Sequence, residues 1–248
     1  MEDLIVYVSL MLSVFAGGAA VYFMNPSGEK TLKLMLSFSG AFLLGVSFLH
    51  LIPEVYEHGP SNIGVYVLLG FVFQLLLEFF SEGIEHGHVH VHKHQQHGTF
   101  PVVIMISLCI HAFVEGIPLE REIHSEHHAV EHGHGNHSLL LGVVFHNIPI
   151  SIALMSMFLK SGLNKSKALL WLGVFALMGP LGTFMGHHFG AEIGTVTAHF
   201  FDIVLAIVVG MFMHISTTIL FESSEDHRFN LIKFLSIVSG FGISMLNF

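Results

Sequence analysis

Long apolar runs alternate with short polar breaks along the whole chain. Crossing a bilayer core takes about 20 predominantly apolar residues of helix. Runs of that order lie at 4–23, 32–52, 63–80, 100–118, 139–159, 168–189, 196–221 and 231–246. They predict an all-α integral membrane protein, eight transmembrane helices in one bundle, with the whole of 1–248 as a single domain. The fourth run is the most diluted, by Pro101, His111 and Glu115, and the last is short. Two breaks fall inside runs rather than between them: His111-Ala-Phe-Val-Glu115-Gly116 and His146-Asn147-Ile148-Pro149-Ile150-Ser151. Hydrocarbon offers a charge neither counter-ion nor hydrogen bond, so an ionisable group there marks a candidate functional site.

Charge orients this frame, because short cytoplasmic loops are enriched in Lys and Arg. Lys30, Lys33, Lys93, Lys160, Lys165, Lys167, Arg228 and Lys233 fall in or beside the first, third, fifth and seventh connections, and only Arg121 falls elsewhere. The odd connections are therefore expected in the cytoplasm and both termini outside it. The start Met-Glu2-Asp3 has no basic region before the first apolar run, so the first helix is expected to stay rather than be cleaved.

Composition supports the membrane reading: 52% of residues are hydrophobic and 11% charged, against about 25% charged in soluble domains. The mean hydropathy is +0.71. The formal net charge of -9 argues against a nucleic-acid partner. The partners expected are a divalent metal ion and the bilayer, with a homodimer left open; a prokaryotic source would place the chain in the inner membrane. Cys109 is the single cysteine, so no disulfide forms within the chain.

Histidine changes the picture further. Twelve of 21 lie in two connections. One, at 85–98 and expected in the cytoplasm, carries His86, His88, His90, His92, His94 and His97; the other, at 120–137 and expected outside, carries His124, His127, His128, His132, His134 and His137. Neutral imidazole suits zinc, copper, nickel and iron better than magnesium or calcium. Weak, unselective metal capture by flexible loops is the expectation for both.

Within the membrane, a spacing of four puts His111 and Glu115 on one helical face about one turn apart, as two ligands of one ion require. His146 adds a second imidazole, and Pro149, three residues on, removes a backbone donor and predicts a kink opening a polar pocket. His50, in His50-Leu-Ile-Pro53-Glu54, is a third imidazole, just before a proline expected to end the second helix. Asn147, Ser151, His214, Glu54 and Glu222 are secondary metal or pathway candidates. No catalytic residue is expected.

The ordered set of His50-Leu-Ile-Pro-Glu, His111-x3-Glu115-Gly116, His146-Asn-Ile-Pro and the histidine-rich loop after the third helix resembles the ZIP (Zrt/Irt-like) metal transporters. Leu69-Gly-Phe71-Val-Phe-Gln74-Leu-Leu-Leu-Glu78, Gly179-Pro180-Leu181-Gly182 and Gly210-Met-Phe212 leading to Glu222 add to the likeness, which covers nearly the whole chain. The resemblance implies uptake of a divalent transition metal into the cytosol. It places the ligands at His50, His111, Glu115 and His146, and exposes the site alternately as one helix bundle slides against another. Zinc is the expected substrate, with Fe2+, Mn2+ and Cd2+ as further candidates and no organic cofactor.

The chain also departs from that pattern. Ala112 and Val114 stand where the fourth helix usually has Asn and Pro, and Ile150 where the fifth usually offers a carboxylate or second histidine. Ser151 is the small residue that follows, and Gly179 takes a position that is sometimes acidic. Together these remove most ligands of a second ion, so a mononuclear site is expected. The less negative site favours a softer ion and weighs against rapid release. Alternatives are a non-transporting relative that binds or senses metal, an intramembrane zinc-dependent hydrolase with Glu115 as general base, and a metal exporter. The absence of His-Glu-x-x-His weighs against the hydrolase, and eight spans weigh against the exporter.

Overall fold

Each apolar run becomes a helix. The structure, a computed structural model, describes residues 2–24, 29–81, 102–120, 137–196, 199–222 and 231–246. Among these residues we number eight helices. They are α1 (Glu2–Met24), α2 (29–58, in three parts), α3 (Ile63–Ser81), α4 (Val102–Gly116), α5 (Ser138–Lys160), α6 (165–196, in two parts), α7 (Phe200–Glu222) and α8 (Leu231–Ser244). Six are long and apolar enough to cross a membrane, and α4 and α8 are shorter apolar helices.

The second helix does not end at the proline, as its sequence suggested. Glu29–Val46 passes through a π-helical turn at Ser47–Leu51 and continues as Ile52–His58, with Pro53 in the first turn of that last part. In a regular helix the Pro53 ring would clash with the carbonyl four residues back and remove a donor. The wider turn absorbs this, with the Ile52 N–H donating to the carbonyl of Ser47 five residues earlier. Pro180 acts differently: α6 breaks at Leu177 between Lys165–Ala176 and Met178–Val196. Pro149 interrupts nothing, and Ser138–Lys160 is one helix around it. The cavity beside Pro149 is not the polar pocket expected. Apart from Ser236 it is lined by Leu34, Met35, Phe38, Phe145, Ile148 and the proline itself.

The helices pack as two groups of four. One holds α1, α4, α5 and α6; the other holds α2, α3, α7 and α8; the groups meet chiefly where α2 lies on α5 and α3 on α4. Lipid is as apolar as leucine, so close backbone approach rather than hydrophobicity holds such helices together. A Cβ on Gly70 of α3 would stand 1.9 Å from the Ile207 carbonyl oxygen of α7, and one on Gly210 of α7 1.9 Å from that of Val67. Where α4 meets α6, a Cβ on Gly116 would stand 2.2 Å from the Gly179 oxygen. Along α3 the buried positions Ile63, Gly70, Gln74, Leu77 and Ser81 face the protein, while Leu68, Val72, Leu75, Leu76 and Phe79 are exposed on the apolar outside.

Two apolar clusters fill the interior. Along α5, Leu139, Leu140 and Val143 belong to one and Ile150 to the other. His146 and Asn147 fall in the gap between them.

Candidate metal centre

The inward stripe of α4 runs Met105, Leu108, His111, Ala112 and Glu115, all buried. Its apolar members fill the core, and its two polar members face His146 on the neighbouring α5. One nitrogen of His111, one of His146 and one oxygen of Glu115 all lie within 4.8 Å of one another. The three residues are 1%, 0% and 0% exposed, in the order His111, His146, Glu115, so any charge they carry must be met inside the protein. Nε2 of His111 is 2.9 Å from Oε1 of Glu115, and the two imidazole rings lie 6.1 Å apart, centroid to centroid, at 74°. Apart from that contact with His111, neither oxygen of Glu115 has a hydrogen-bond partner. A buried carboxylate in that condition is costly unless a cation compensates it. Among the described residues this is the one group of three or more potential ligands of a cation.

Both imidazoles are held through Nδ1. His111 Nδ1 is 2.9 Å from Oε1 of Gln74 on α3, and His146 Nδ1 is 3.1 Å from Oγ of Ser39 on α2. A ring that donates from Nδ1 presents a lone pair at Nε2, the form in which imidazole ligates metal. Gln74 and Ser39 were not singled out as site residues from the sequence. A glutamine inside an apolar helix is a signal that could have been weighed; a serine in a helix is too common to be one.

The other expected residues are placed as follows. His50, on the π turn, directs Nε2 to the Ser244 carbonyl of α8 at 3.0 Å and is not in the group of three. Asn147 is buried, and with Glu115, Ala112 and Gly179 it lines an internal cavity of about 10 Å³ between α1, α4, α5 and α6, roughly the space of one water molecule. The Ser151 hydroxyl donates to the Ile148 carbonyl at 2.8 Å, its side chain packed against Gly17 of α1. His214 pairs through Nε2 with Glu78 of α3, and its ring meets Phe71 edge-on. Glu54 is half-buried beyond Pro53. Glu222 is the last residue of α7. His137 is exposed, at the N-cap of α5. His86, His88, His90, His92, His94, His97, His124, His127, His128, His132 and His134 lie outside the described residues.

The departures from the family pattern have structural counterparts. Ile150 is 1% exposed and packed in an apolar cluster with Leu108, Ala112 and Leu154. At Gly179 the α6 backbone itself approaches Gly116 of α4. Core packing and close helix contact occupy the places where further ligands would stand.

A helical bundle of membrane-spanning segments around a buried His–Glu–His group defines a multi-pass membrane protein with a candidate cation site in its interior. The comparisons with known proteins make the class specific: the family profile described as "ZIP Zinc transporter" matches residues 3–100 and 85–247, and the chain belongs to that family. Among its relatives, Zinc transporter YKE4 of Saccharomyces cerevisiae is 26% identical over 239 residues, covering 84% of this chain and 67% of that protein. Zinc transporter ZIP9 of Micropogonias undulatus is 22% identical, covering 85% of this chain and 81% of its own. Zinc transporter SLC39A7 of Rattus norvegicus is 35% identical over 87 residues, 27% of this chain and 19% of that protein. The family is one of transporters and not of enzymes, which removes the hydrolase reading.

Proposed function

We propose that the protein moves a divalent transition metal, zinc in the first place, into the cytosol through a mononuclear site formed by His111, Glu115 and His146. The observation that carries the reading is the convergence of two imidazoles and a carboxylate that has no hydrogen-bond partner beyond its contact with His111, at the level where the two apolar clusters meet. Two nitrogens and one oxygen match the ligand types of zinc, which takes four ligands in total. A site of three protein ligands leaves the ion a position to exchange. The relatives named as zinc transporters support zinc over Fe2+, Mn2+ and Cd2+. In this conformation His50 holds α2 to α8, so the proposed site rests on the other three residues.

Alternating exposure follows if the α1, α4, α5, α6 group, which carries all three ligands, moves against the other four helices. The lysine pattern supports inward movement, with the odd connections in the cytoplasm and both termini outside. Lys165 at the start of α6 lies over the Tyr22 ring near the end of α1, which supports a shared face for the first and fifth connections. The histidine-rich connections at 85–98 and 120–137 would gather the ion on either side.

The deciding experiment is isotopic zinc uptake into sealed proteoliposomes by the wild type, His111→Ala and Glu115→Ala. Uptake by the wild type and its loss in both variants is expected. Equal uptake by all three would overturn the site, and no uptake by a wild type that binds zinc would favour a non-transporting, metal-binding relative.

A further inference from the structure

All three proposed ligands stand on one four-helix group, and the two hydrogen bonds that orient their imidazoles come from the other. Gln74 belongs to α3 and Ser39 to α2, and both are buried. The bond from His111 to Gln74 crosses the α3–α4 contact, and the bond between His146 and Ser39 crosses the α2–α5 contact. We propose that Gln74 and Ser39 are positioning residues. They lock both imidazoles with Nε2 toward the ion while the two groups are in register, and they release the rings when the groups shift. The inference rests on the reading of His111, Glu115 and His146 as the metal site.

The surroundings favour a latch over simple packing. Hydrogen bonds fail once the partners separate beyond about 3.5 Å, so a displacement of a few ångströms breaks both at once. Beside the bond at the α2–α5 face, Phe145 meets Phe38 and Phe42 edge-on, with centroids 5.9 and 5.1 Å apart. Such rings exchange one neighbour for another with little directional cost. The two bonds to the imidazoles are therefore the part of this contact that reports to the ion. Release is then coupled to movement: once Nδ1 is let go, ring orientation and tautomer are no longer held, and the ligand set loosens.

A control is built into the fold. Ser107 of α4 donates to the Leu77 carbonyl of α3 at 2.6 Å. It crosses the same boundary, but its bond runs to a backbone carbonyl and not to a proposed ligand.

The test is zinc affinity of the purified full-length chain by competition with a chromophoric chelator, the tight site being the one lost in Glu115→Gln. Outer-shell partners of metal ligands are typically worth roughly 10–100-fold in affinity. Gln74→Leu and Ser39→Ala are each expected to weaken binding by that amount. Gln74→Glu, which keeps an acceptor for His111, and Ser107→Ala should stay near wild type. In proteoliposomes the two weakened variants should show a raised KM with kcat unchanged or higher, since the cycle must break these bonds anyway. Wild-type affinity in Gln74→Leu and Ser39→Ala, equal weakening by Ser107→Ala, or a fall in kcat at unchanged KM would each overturn the latch. Should Gln74→Leu fail to fold, the smaller change Ser39→Ala decides it alone. If Glu115→Gln binds zinc as the wild type does, the metal-site reading falls, a result separable from failure of the latch.

Discussion

Nε2 of His111 and Oε1 of Glu115 stand 2.9 Å apart, one turn from each other on α4, with both side chains almost fully buried. The pair arises from local sequence alone, since residues four apart share a helical face. What completes the candidate group is His146, from a helix that begins more than twenty residues later in the chain.

Loss of the Glu115 carboxylate should cost more than loss of an orienting partner. Removing an outer-shell hydrogen bond typically costs roughly 10–100-fold in metal affinity, so Glu115→Gln is expected to exceed that while leaving helix content intact. Chelator competition and circular dichroism on the same sample check both halves.

Zinc stoichiometry should be one tight ion per chain once the histidines of 86–97 and 124–137 are replaced. Ile150 is core and Gly179 lies at a close backbone approach, so neither supplies a second ion with a ligand. Titration that saturates at two tight ions would contradict the proposed mononuclear site.

The α3–α7 contact should be intolerant of a single methyl group. Gly210→Ala puts a Cβ 1.9 Å from the Val67 carbonyl oxygen, and backbone cannot rotate away as a side chain can. Overpacking of this kind costs typically ~1–3 kcal/mol. Gly242→Ala is the control: a Cβ there meets nothing within 4 Å, and Gly to Ala in a helix is otherwise favourable by roughly 0.5–1 kcal/mol. Thermal unfolding in detergent should lower Tm for the first and leave the second unchanged or slightly raised.

His214 and Glu78 should behave as one unit. They join α7 to α3 inside the second helix group, and a buried polar group stripped of its partner costs about 1–3 kcal/mol. Either single change to Ala is expected to destabilise, and the double variant should cost clearly less than their sum. An additive cycle would mean that the two side chains do not depend on each other.

Much of this was legible in the chain. Hydropathy placed the eight helices to within a few residues at most of their ends, because every backbone group in lipid must be satisfied within a helix. The intramembrane His111, Glu115 and His146 announced themselves because apolar sequence gives them no other reason to be there. Proline was read less well. The chain shows Pro53, Pro149 and Pro180 alike, yet one sits beyond a π turn, one inside an unbroken helix and one after a break. Which of these occurs depends on how neighbouring helices accommodate the lost hydrogen bond.

The sequence by itself determined what the membrane demands of a chain: long apolar helices, and the few polar groups that hydrocarbon would otherwise exclude. Tertiary structure decided which of those groups meet. His111 and His146 stand out along the chain with His50 as a third candidate, but α4 against α5 joins the first two with Glu115, while the π turn sends His50 to Ser244 of α8. Only the packing of one four-helix group on the other could reveal that Gln74 and Ser39 hold the imidazoles. Contacts between helices far apart in sequence depend on rotation and close approach of whole elements, which local periodicity does not encode.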